Sequence, residues 1–430
     1  MKRDLNRRSF LQTSLGAGAT ALFGGLACSH MPPLQAWVGR ARLDETLRRY
    51  VESGTLPGVA GSIGVGTAPA RFLTAGVIAR ESNVAVDSDS IFRIMSMSKP
   101  ITGMAVMMLI EEGAIDLDQR LADFIPGFAR ARVLTDPARG MESRAARTPI
   151  TIRHLLTHTS GLAYFSRIDG PLRDAYIRNG LLPVRTGGRS LPDVPSFSYA
   201  PNLTEFANRL AALPLVAEPG TRWVYSMSPD LLGRVIEVAS GLSFETFLET
   251  RIFAPLGMTS TVFTVPESEA HRLTSLYSIR EGRADVLVDA GPTSICLEPP
   301  PFPFGGSGLL SSPRDYDRFL RMLAGEGAIG DVRIMRRSTA RLAMSNLLPP
   351  RVDMGEAIVS SEGFGALGSV ALRRQRDGKG PGTYGWSGGA GTTAFVDPSR
   401  GLRVAGYAQY IPARELGFRD DVVKAVRDRV

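Results

Sequence analysis

The sequence is most tightly constrained by an apolar stretch that follows Ser96 and Lys99. Residues 100–110 contain no charged side chain, and Gly113 comes shortly after them, which predicts a buried helix that ends near this glycine. Ser96 would lie at the helix N-terminus, where free N–H groups and the positive end of the helix dipole favour developing negative charge. Residues three apart share one face of a helix. The chain must therefore fold around a buried helix that carries a serine and a lysine side by side.

The spacing of Ser96 and Lys99 suits nucleophilic catalysis. The lysine amine can reach the serine hydroxyl and remove its proton, provided that the amine is neutral for part of the cycle. In the alternative, Ser96 only caps the helix and Lys99 lies on the surface. Only 4 of the 50 basic residues are lysines, so a lysine kept at this spacing favours the catalytic interpretation.

Two later stretches offer further groups for such a site. Tyr225, in the run from Trp223 to Ser228, could serve as a third proton carrier, although a lone tyrosine of this kind is more often a packed core aromatic. The glycine-rich run from Tyr384 to Gly391 lies between strand-like segments, where small residues let a substrate approach the backbone. A plain hairpin turn would explain that run equally well.

Helical and strand-like patterns are distributed unevenly along the chain. A helical pattern over 34–53 precedes a hairpin pattern over 58–78, and strand-like segments return over 383–397 and 402–410. The residues between them show mainly helical patterns and few strands. Strands at both ends of a chain imply one sheet built from distant segments. Helices are predicted near 152–156, 203–213, 230–240, 244–253, 314–323 and 415–430, and loops or lids over 181–202 and 291–308.

The predicted fold class is therefore α/β (α+β), with an antiparallel sheet flanked by helices. We expect residues of about 34–115 and 300–430 to form this part, and residues of about 116–299 to form a mostly helical inserted lobe. Both parts would belong to one domain over residues 34–430.

The N-terminus has the pattern of an export signal. Arg7 and Arg8 precede a hydrophobic pair and a weakly apolar, Gly- and Ala-rich stretch that ends at Ala27. This arrangement is typical of a twin-arginine signal peptide, here over residues 1–27. A short membrane helix is the alternative, but the stretch is shorter than the roughly 20 residues that a span needs.

Cleavage after Ala27 would make Cys28 the first residue of the mature protein. A lipid anchor at Cys28 stays open, as does a disulfide between Cys28 and Cys296. No later stretch has 18 consecutive apolar residues, so no transmembrane span is predicted. The expected location is outside the inner membrane, in the periplasm, either free or held by the lipid anchor.

Charge and cysteine content exclude several classes of protein. The 430 residues carry a formal net charge of +8, and the basic residues are scattered rather than gathered in a stripe, so no nucleic-acid partner is predicted. Two cysteines are too few for a disulfide framework or a cysteine zinc site. Gly64-Val65-Gly66 lacks the third glycine of a dinucleotide loop, so no cofactor is predicted.

A rival nucleophile motif occurs over residues 385–389. This run satisfies the G-x-S-x-G pattern of α/β-hydrolases, with Ser387 at its centre. That fold needs its catalytic histidine after the serine, but the last histidine of this chain is His271. Ser387 therefore lacks a base in the required order.

A histidine pair has the spacing of a zinc-binding helix. His154 and His158 are four residues apart, but Leu155 stands where a metalloprotease needs glutamate. The preferred interpretation is a structural histidine pair, and no metal site is predicted.

Together these motifs resemble the serine β-lactamase and penicillin-binding protein superfamily, and within it the class C-like branch that includes the family VIII carboxylesterases. Ser96-x-x-Lys99 matches the nucleophile motif of that superfamily. The resemblance implies that Ser96 is the nucleophile, that Lys99 and Tyr225 form the acid/base pair, and that the backbone N–H groups of Ser96 and Gly389 form the oxyanion hole. Further matching stretches are Tyr225-Ser226-Met227 at the Tyr-x-Asn position, Trp386-Ser387-Gly388 at the Lys-Thr-Gly position, and residues 155–162 and 305–312.

Two departures from the family pattern bear on the substrate. Met227 replaces the asparagine that holds the amide side chain of a β-lactam, and Trp386 replaces the cation that faces its carboxylate. We expect Met227, Trp386, Ser387 and Gly388 to contact the substrate. An apolar pair in those places loses charge-assisted hydrogen bonds of about 1.5–3 kcal/mol each.

The resemblance and its departures favour a carboxylesterase for short-chain, uncharged esters. The substrate would be a small-molecule ester or amide. One alternative is a β-lactamase or DD-peptidase on the same scaffold. A non-enzymatic alternative is a penicillin-binding or cell-wall-binding protein that is acylated without turnover.

Overall fold

A seven-stranded antiparallel sheet forms the centre of the protein. The computed structural model describes residues 34–136, 140–182, 185, 198–355 and 363–427. The strands are β1 (Gly58–Val65), β2 (Arg71–Gly76), β3 (Phe92–Arg93), β4 (Arg132–Leu134), β5 (Ser143–Ala145), β6 (Leu276–Arg280), β7 (Arg283–Asp289), β8 (Leu310–Ser311), β9 (Ala328–Ile329), β10 (Val332–Arg333), β11 (Gly363–Phe364), β12 (Ser369–Val370), β13 (Tyr384–Gly388), β14 (Thr392–Asp397), β15 (Leu402–Tyr407) and β16 (Tyr410–Ile411). The central sheet has the order β11-β12-β13-β14-β15-β1-β2.

The central sheet joins the two ends of the chain. β1 pairs with β15, so that Ala60 lies opposite Tyr407 and Ile63 lies opposite Val404. Side chains alternate between the faces of a strand, and accordingly Ile63 and Val404 enter one hydrophobic cluster while Ala60 and Tyr407 enter another. The prediction of an α/β (α+β) fold, with an antiparallel sheet flanked by helices, is confirmed.

Helices cover both faces of the central sheet. The helices are α1 (Leu34–Glu52), α2 (Ser98–Glu111), α3 (Ile152–Leu156), α4 (Gly170–Arg178), α5 (Leu203–Ala211), α6 (Ser228–Ser240), α7 (Phe244–Leu248), α8 (Ala254–Leu256), α9 (Pro313–Ala324), α10 (Arg337–Ala343) and α11 (Phe418–Ala425). α1 and α11 pack on one face, where Leu47 and Val422 share a cluster, and α9 packs on the other face. No helix among the described residues is both long and apolar enough to cross a bilayer.

Helix α2 is the buried helix that the apolar stretch predicts. Every residue from Ser98 to Leu109 is buried, and the helix packs against α6 and α10. Gly103 permits a close approach to a neighbouring segment, since a Cβ atom there would lie 2.2 Å from the Ala366 carbonyl oxygen. The helix ends just before Gly113, which has a left-handed φ of 74°.

The middle of the chain contains more strands than its sequence pattern indicates. β4 pairs with β5, and β6 pairs with both β7 and β16. The expectation of few strands here is incomplete. These strands are partly exposed, and β7 buries only Ala284 and Asp289. Apolar residues also stand at exposed positions of β7, such as Val286 and Leu287, so its sequence pattern does not mark a buried face.

Several predicted segments fall wholly or partly outside the described residues. The signal peptide over 1–27 and Cys28 lie outside them, as do residues 183–184 and 186–197 of the predicted loop over 181–202. Cys296 is buried and has no disulfide within the described chain. The predicted loop over 291–308 contains only two short 3-10 turns, Gly291–Thr293 and Ile295–Leu297.

Candidate active site

Ser96 lies in a tight turn between β3 and α2. Met95, directly before it, adopts a left-handed backbone with a φ of 46°, a strained conformation that is typical of functional turns. Two hydrogen bonds to backbone carbonyls stabilise the turn. Ser98 Oγ donates to the Met95 carbonyl at 2.7 Å, and the Tyr316 hydroxyl donates to the Met97 carbonyl at 2.9 Å. The neighbouring side chains are thus held in the core while Ser96 stays partly exposed.

Lys99 is the second residue of α2 and is fully buried. Its Nζ donates to Ser96 Oγ at 3.1 Å and to the Gly306 carbonyl oxygen at 2.7 Å. The ammonium position also lies 4.6 Å from the ring centre of Tyr225 and 5.4 Å from that of Tyr164, within the range of cation–π attraction. The surface-lysine alternative is therefore excluded by the geometry.

Tyr225 approaches Ser96 from the opposite side. Its hydroxyl donates to Ser96 Oγ at 2.8 Å and accepts a hydrogen bond from Trp386 Nε1 at 3.1 Å. Ser96 Oγ is consequently held between the amine of Lys99 and the phenol of Tyr225. A nucleophile that touches two potential proton carriers has the arrangement that general acid–base catalysis requires.

An aromatic cluster fixes the ring of Tyr225. Trp223 stacks on it with an interplanar angle of 11°, and the ring centres of His158 and Tyr164 lie 4.9 Å and 5.2 Å away. Trp386 packs at 5.8 Å. Aromatic contacts of this kind are worth about 0.5–1.5 kcal/mol each beyond their buried area. The tyrosine is both a packed aromatic and a member of the site.

Burial controls the protonation of the groups behind Lys99. It lowers the pKa of His158 well below its usual value, and the neighbouring Lys99 lowers it further, so that the imidazole is neutral. Burial also raises the pKa of Tyr164, with the carboxyl of Asp230 adding to the effect. The pKa of Asp230 itself is raised to about 7 by burial, against the opposing influence of the Gly306 N–H and Lys99.

A cavity of about 700 Å³ lies in front of Ser96. Tyr225, Trp386, Ser387 and Gly389 line its inner part. Its outer wall carries more basic than acidic groups, and no sequence motif marks these charges as part of the site. The charged lining residues are Arg167, Lys379, Arg419, Lys424, Asp377 and Asp420.

The predicted substrate-binding residues differ in where the structure places them. Trp386 and Ser387 line the cavity. Gly388 is buried, and a Cβ atom there would lie 2.3 Å from the Ile94 carbonyl oxygen, so this glycine lets β13 pack beneath the Ser96 turn. Met227 is fully buried in the main hydrophobic cluster and is not among the cavity-lining residues. Its side chain fills the core before α6 rather than facing the cavity.

Gly389 shares the cavity wall with Ser96, which is the placement that an oxyanion hole needs. A Cβ atom at Gly389 would meet nothing within 4 Å. The backbone there is open to a reacting carbonyl oxygen. The role of the two N–H groups remains a prediction of the resemblance.

The side chains of the rival nucleophile and of the histidine pair make hydrogen bonds within the fold. Ser387 Oγ pairs with Thr393 Oγ1 at 2.9 Å across β13 and β14. His154 Nδ1 accepts from the Thr151 N–H at 3.2 Å in a helix cap, and His158 Nδ1 pairs with Ser226 Oγ at 3.0 Å. Within the described ranges, no group of three metal-ligating side chains comes together.

Some site residues escaped the sequence analysis. Tyr164, Asp230 and Gly306 surround Lys99, and Trp223 stacks on Tyr225. Gly306 lies in the family-like stretch 305–312, which the resemblance singled out without assigning a role. Asp230 had no such signal, because an aspartate in the first turn of a helix is ordinarily explained by the helix dipole.

The fold and the Ser-Lys-Tyr arrangement define a serine hydrolase of the β-lactamase-like type. The chain belongs to the Beta-lactamase family, whose pattern matches residues 43–425. It is 34% identical to Protein Rv1367c of Mycobacterium tuberculosis over 345 residues, covering 77% of this chain and 80% of that protein. It is 30% identical to Esterase EstB of Burkholderia gladioli over 346 residues, covering 76% and 80% respectively.

A solved structure has the same fold. The structure of EstCE1, described as a hydrolase with promiscuous acyltransferase activity, superposes with a TM-score of 0.74 at 23% identity. The match covers 92% of this chain and 100% of that one. The predicted superfamily and the prediction of an enzyme are confirmed.

Proposed function

We propose that this protein is a carboxylesterase that forms and hydrolyses an acyl-enzyme on Ser96. One observation carries the proposal: Ser96 Oγ lies 3.1 Å from Lys99 Nζ and 2.8 Å from the Tyr225 hydroxyl. The similarity to Esterase EstB supports it.

In the acylation step, Ser96 Oγ attacks the ester carbonyl carbon while its proton passes to the Lys99–Tyr225 pair. The resulting oxyanion would be held by the N–H groups of Ser96 and Gly389. The C–O bond to the alcohol then breaks, and the departing alkoxide takes the proton from the pair. In deacylation, water attacks the acyl carbon, its proton passes to the same pair, and Ser96 Oγ recovers a proton as it leaves.

The substrate class follows from Trp386 and the open cavity. The indole presents an apolar surface where lactam-hydrolysing relatives have a cation, and its N–H is already bonded to Tyr225. A substrate carboxylate would therefore find no donor at position 386. Short-chain, uncharged esters are the preferred substrates in this proposal.

A lactam or another anionic substrate is the second candidate, favoured by the charged outer wall of the cavity. Lys379 is paired with Asp377 at 3.0 Å, whereas Arg419 makes no ion pair with any described residue. A free guanidinium on the cavity wall could face a substrate carboxylate. This candidate competes with the uncharged-ester proposal for the same nucleophile.

The two candidates are separated by comparing kcat/KM for p-nitrophenyl butyrate and nitrocefin. We expect the ester to exceed the lactam by about 10³-fold, a difference of about 4 kcal/mol that the absence of both the family's cation at position 386 and its amide at position 227 could supply. Equal turnover of both would overturn the esterase assignment. Nitrocefin that acylates stoichiometrically with no ester turnover would instead indicate a non-turnover penicillin-binding protein.

The nucleophile is tested separately with a fluorophosphonate and mass mapping of the modified residue. We expect the adduct on Ser96, no ester hydrolysis by Ser96→Ala, and substantial activity in the control variant Ser387→Ala. An adduct on Ser387, or an active Ser96→Ala protein, would contradict the proposal.

We also propose that the protein is exported to the periplasm by the twin-arginine route. The adjacent Arg7 and Arg8 before an apolar stretch support this. Fractionation of cells should find the mature chain in the periplasm, and an Arg7→Lys, Arg8→Lys double variant should leave it in the cytoplasm. A Cys28→Ala variant released from membranes would show that Cys28 carries a lipid, and an unchanged distribution would show that it does not.

A further inference from the structure

A buried carboxyl group behind Lys99 has no part in the proposed reaction. Asp230 lies in the first turn of α6 and is fully buried. Its Oδ1 accepts a hydrogen bond from the Gly306 N–H at 3.1 Å, and the carbonyl oxygen of the same glycine accepts from Lys99 Nζ at 2.7 Å. Gly306 therefore links the carboxyl of Asp230 to the amine of Lys99.

The second carboxyl oxygen faces the same place. Asp230 Oδ2 is buried and makes no hydrogen bond. A Cβ atom at Gly306 would lie 3.1 Å from this oxygen, 2.9 Å from the Tyr164 hydroxyl and 3.4 Å from Lys99 Nζ. Three polar atoms thus converge on the α-carbon of one glycine. A buried oxygen without a partner is costly, so its retention beside the lysine calls for a functional reason.

We propose that Asp230 is a positioning residue for Lys99, which fixes the amine against Ser96 through Gly306 and supplies the buried countercharge for the ammonium that forms when Lys99 receives the Ser96 proton. This inference rests on the proposed function of Lys99 as the base. The proton balance is simple. The hydroxyl proton of Ser96 moves to the amine, the amine becomes a cation, and the anionic carboxylate of Asp230 stabilises that cation.

Among the side chains that these contacts bring to Lys99, the carboxyl of Asp230 is the one that can carry a negative charge near pH 7. Lys99 faces it from α2, Tyr164 faces it from the segment after α3, and Tyr225 and His158 lie beyond them. The high pKa of Tyr164 and the low pKa of His158 keep both of these groups neutral near pH 7. The pKa of Asp230 is raised to about 7 by its burial, so the countercharge develops as the pH rises through neutrality.

The test compares Asp230→Asn with Asp230→Glu and a matched control. Asparagine keeps an oxygen that can accept from the Gly306 N–H but removes the charge. Asp315 is the control, because it too lies buried in the first turn of a helix, and its Oδ2 accepts from the Ser260 N–H at 2.6 Å. Asp315 Oδ2 also accepts from Thr261 Oγ1 at 3.1 Å, and the hydrogen bonds of its carboxyl within the described chain do not include Ser96, Lys99 or Tyr225.

We expect Asp230→Asn to lower kcat for p-nitrophenyl butyrate about 10-fold or more, with KM nearly unchanged. The rise of kcat with pH through about 7, where Asp230 ionises, should be absent from Asp230→Asn, because asparagine supplies no countercharge at any pH. Asp230→Glu should recover part of kcat and the wild-type profile. Asp315→Asn should lower the unfolding temperature without moving the profile.

An Asp230→Asn protein with wild-type kcat and profile would overturn the inference. So would one whose loss of activity comes with an unmoved profile, since that is the behaviour of a structural residue. If Asp230→Asn does not fold, Asp230→Glu decides the question, because glutamate keeps the charge. An Asp230→Glu protein with low kcat and a pH profile unlike that of the wild type would contradict the proposal. Activity in Ser96→Ala would instead contradict the proposed function itself. Failure of the Asp230 inference can therefore be told apart from failure of the proposed function.

Discussion

Trp386 Nε1 donates a hydrogen bond of 3.1 Å to the hydroxyl of Tyr225, two residues that lie 161 positions apart in the sequence. The same hydroxyl donates to Ser96. The indole therefore influences the nucleophile through the hydroxyl of Tyr225. The sequence pattern assigned Trp386 to the substrate. The structure adds that it orients the phenol, since a hydroxyl that accepts from an indole N–H has its own proton free for Ser96.

Removing the indole N–H should therefore slow the reaction. We expect Trp386→Phe to lower kcat about 5- to 10-fold, which corresponds to about 1 kcal/mol, the usual worth of one neutral hydrogen bond. Steady-state kinetics with p-nitrophenyl butyrate measure this. A variant with an unchanged kcat and a raised KM would show that Trp386 acts on substrate binding alone.

The second prediction concerns the amine of Lys99. Lys99→Arg should be nearly as damaging as Lys99→Ala, because a guanidinium cannot give up its proton near neutral pH. Both variants should lose at least about 10³-fold in kcat. If Lys99→Arg keeps most of kcat, the lysine supplies only positive charge.

Met227 provides a test of the buried core. Met227→Asn, which restores the amide of the family pattern, should lower the free energy of unfolding by about 2–4 kcal/mol, because the site has 0% exposure and lies within the hydrophobic cluster. Met227→Leu should cost less than about 1.5 kcal/mol. Urea denaturation of both variants gives the comparison. An Asn variant as stable as the Leu variant would place position 227 on the cavity instead.

The outer wall of the cavity leads to a prediction about charge. Arg419→Ala should lower kcat/KM for nitrocefin about 5-fold or more while changing that for p-nitrophenyl butyrate less than about 2-fold, because only the lactam carries a carboxylate. Kinetics at two salt concentrations would check the electrostatic origin, since the arginine is partly exposed. Equal effects on both substrates would mean that Arg419 shapes the cavity without selecting charge.

His154 predicts an acid-sensitive contribution to stability. Burial lowers the pKa of His154 to about 4 from its usual 6.5, so the folded state favours the neutral ring. The contribution of the neutral ring to the free energy of unfolding is fully present above pH 6.5. It is lost as the pH falls towards 4, and the loss is about 3 kcal/mol at most. His154→Gln can still close the helix cap and should remove this dependence. The test measures the free energy of unfolding of the wild type and of His154→Gln between pH 4 and 7. The same pH dependence in both proteins would contradict the prediction.

Local spacing explains the parts of the fold and site that were predictable. The hairpin of β1 and β2, helix α9 and strands β13 to β15 lie close to where apolar periodicity and turn residues put them. Of the strands that were missed, β4 and β5 have three residues each, too few to show a period, and β7 carries apolar residues at exposed positions. Met227 was misplaced by pattern alone, since a residue at a motif position can turn either into the cavity or into the core.

The sequence by itself determined the pair of Ser96 and Lys99, because three residues of helix bring two side chains onto one face whatever the rest of the chain does. The family resemblance named Tyr225, but only the tertiary structure decided how the distant groups meet to complete the site. Tyr225 reaches Ser96 across 129 residues, and Asp230 reaches Gly306 across 76. Contacts at such separations depend on how the sheet and helices pack against one another, and no local period or spacing records that packing.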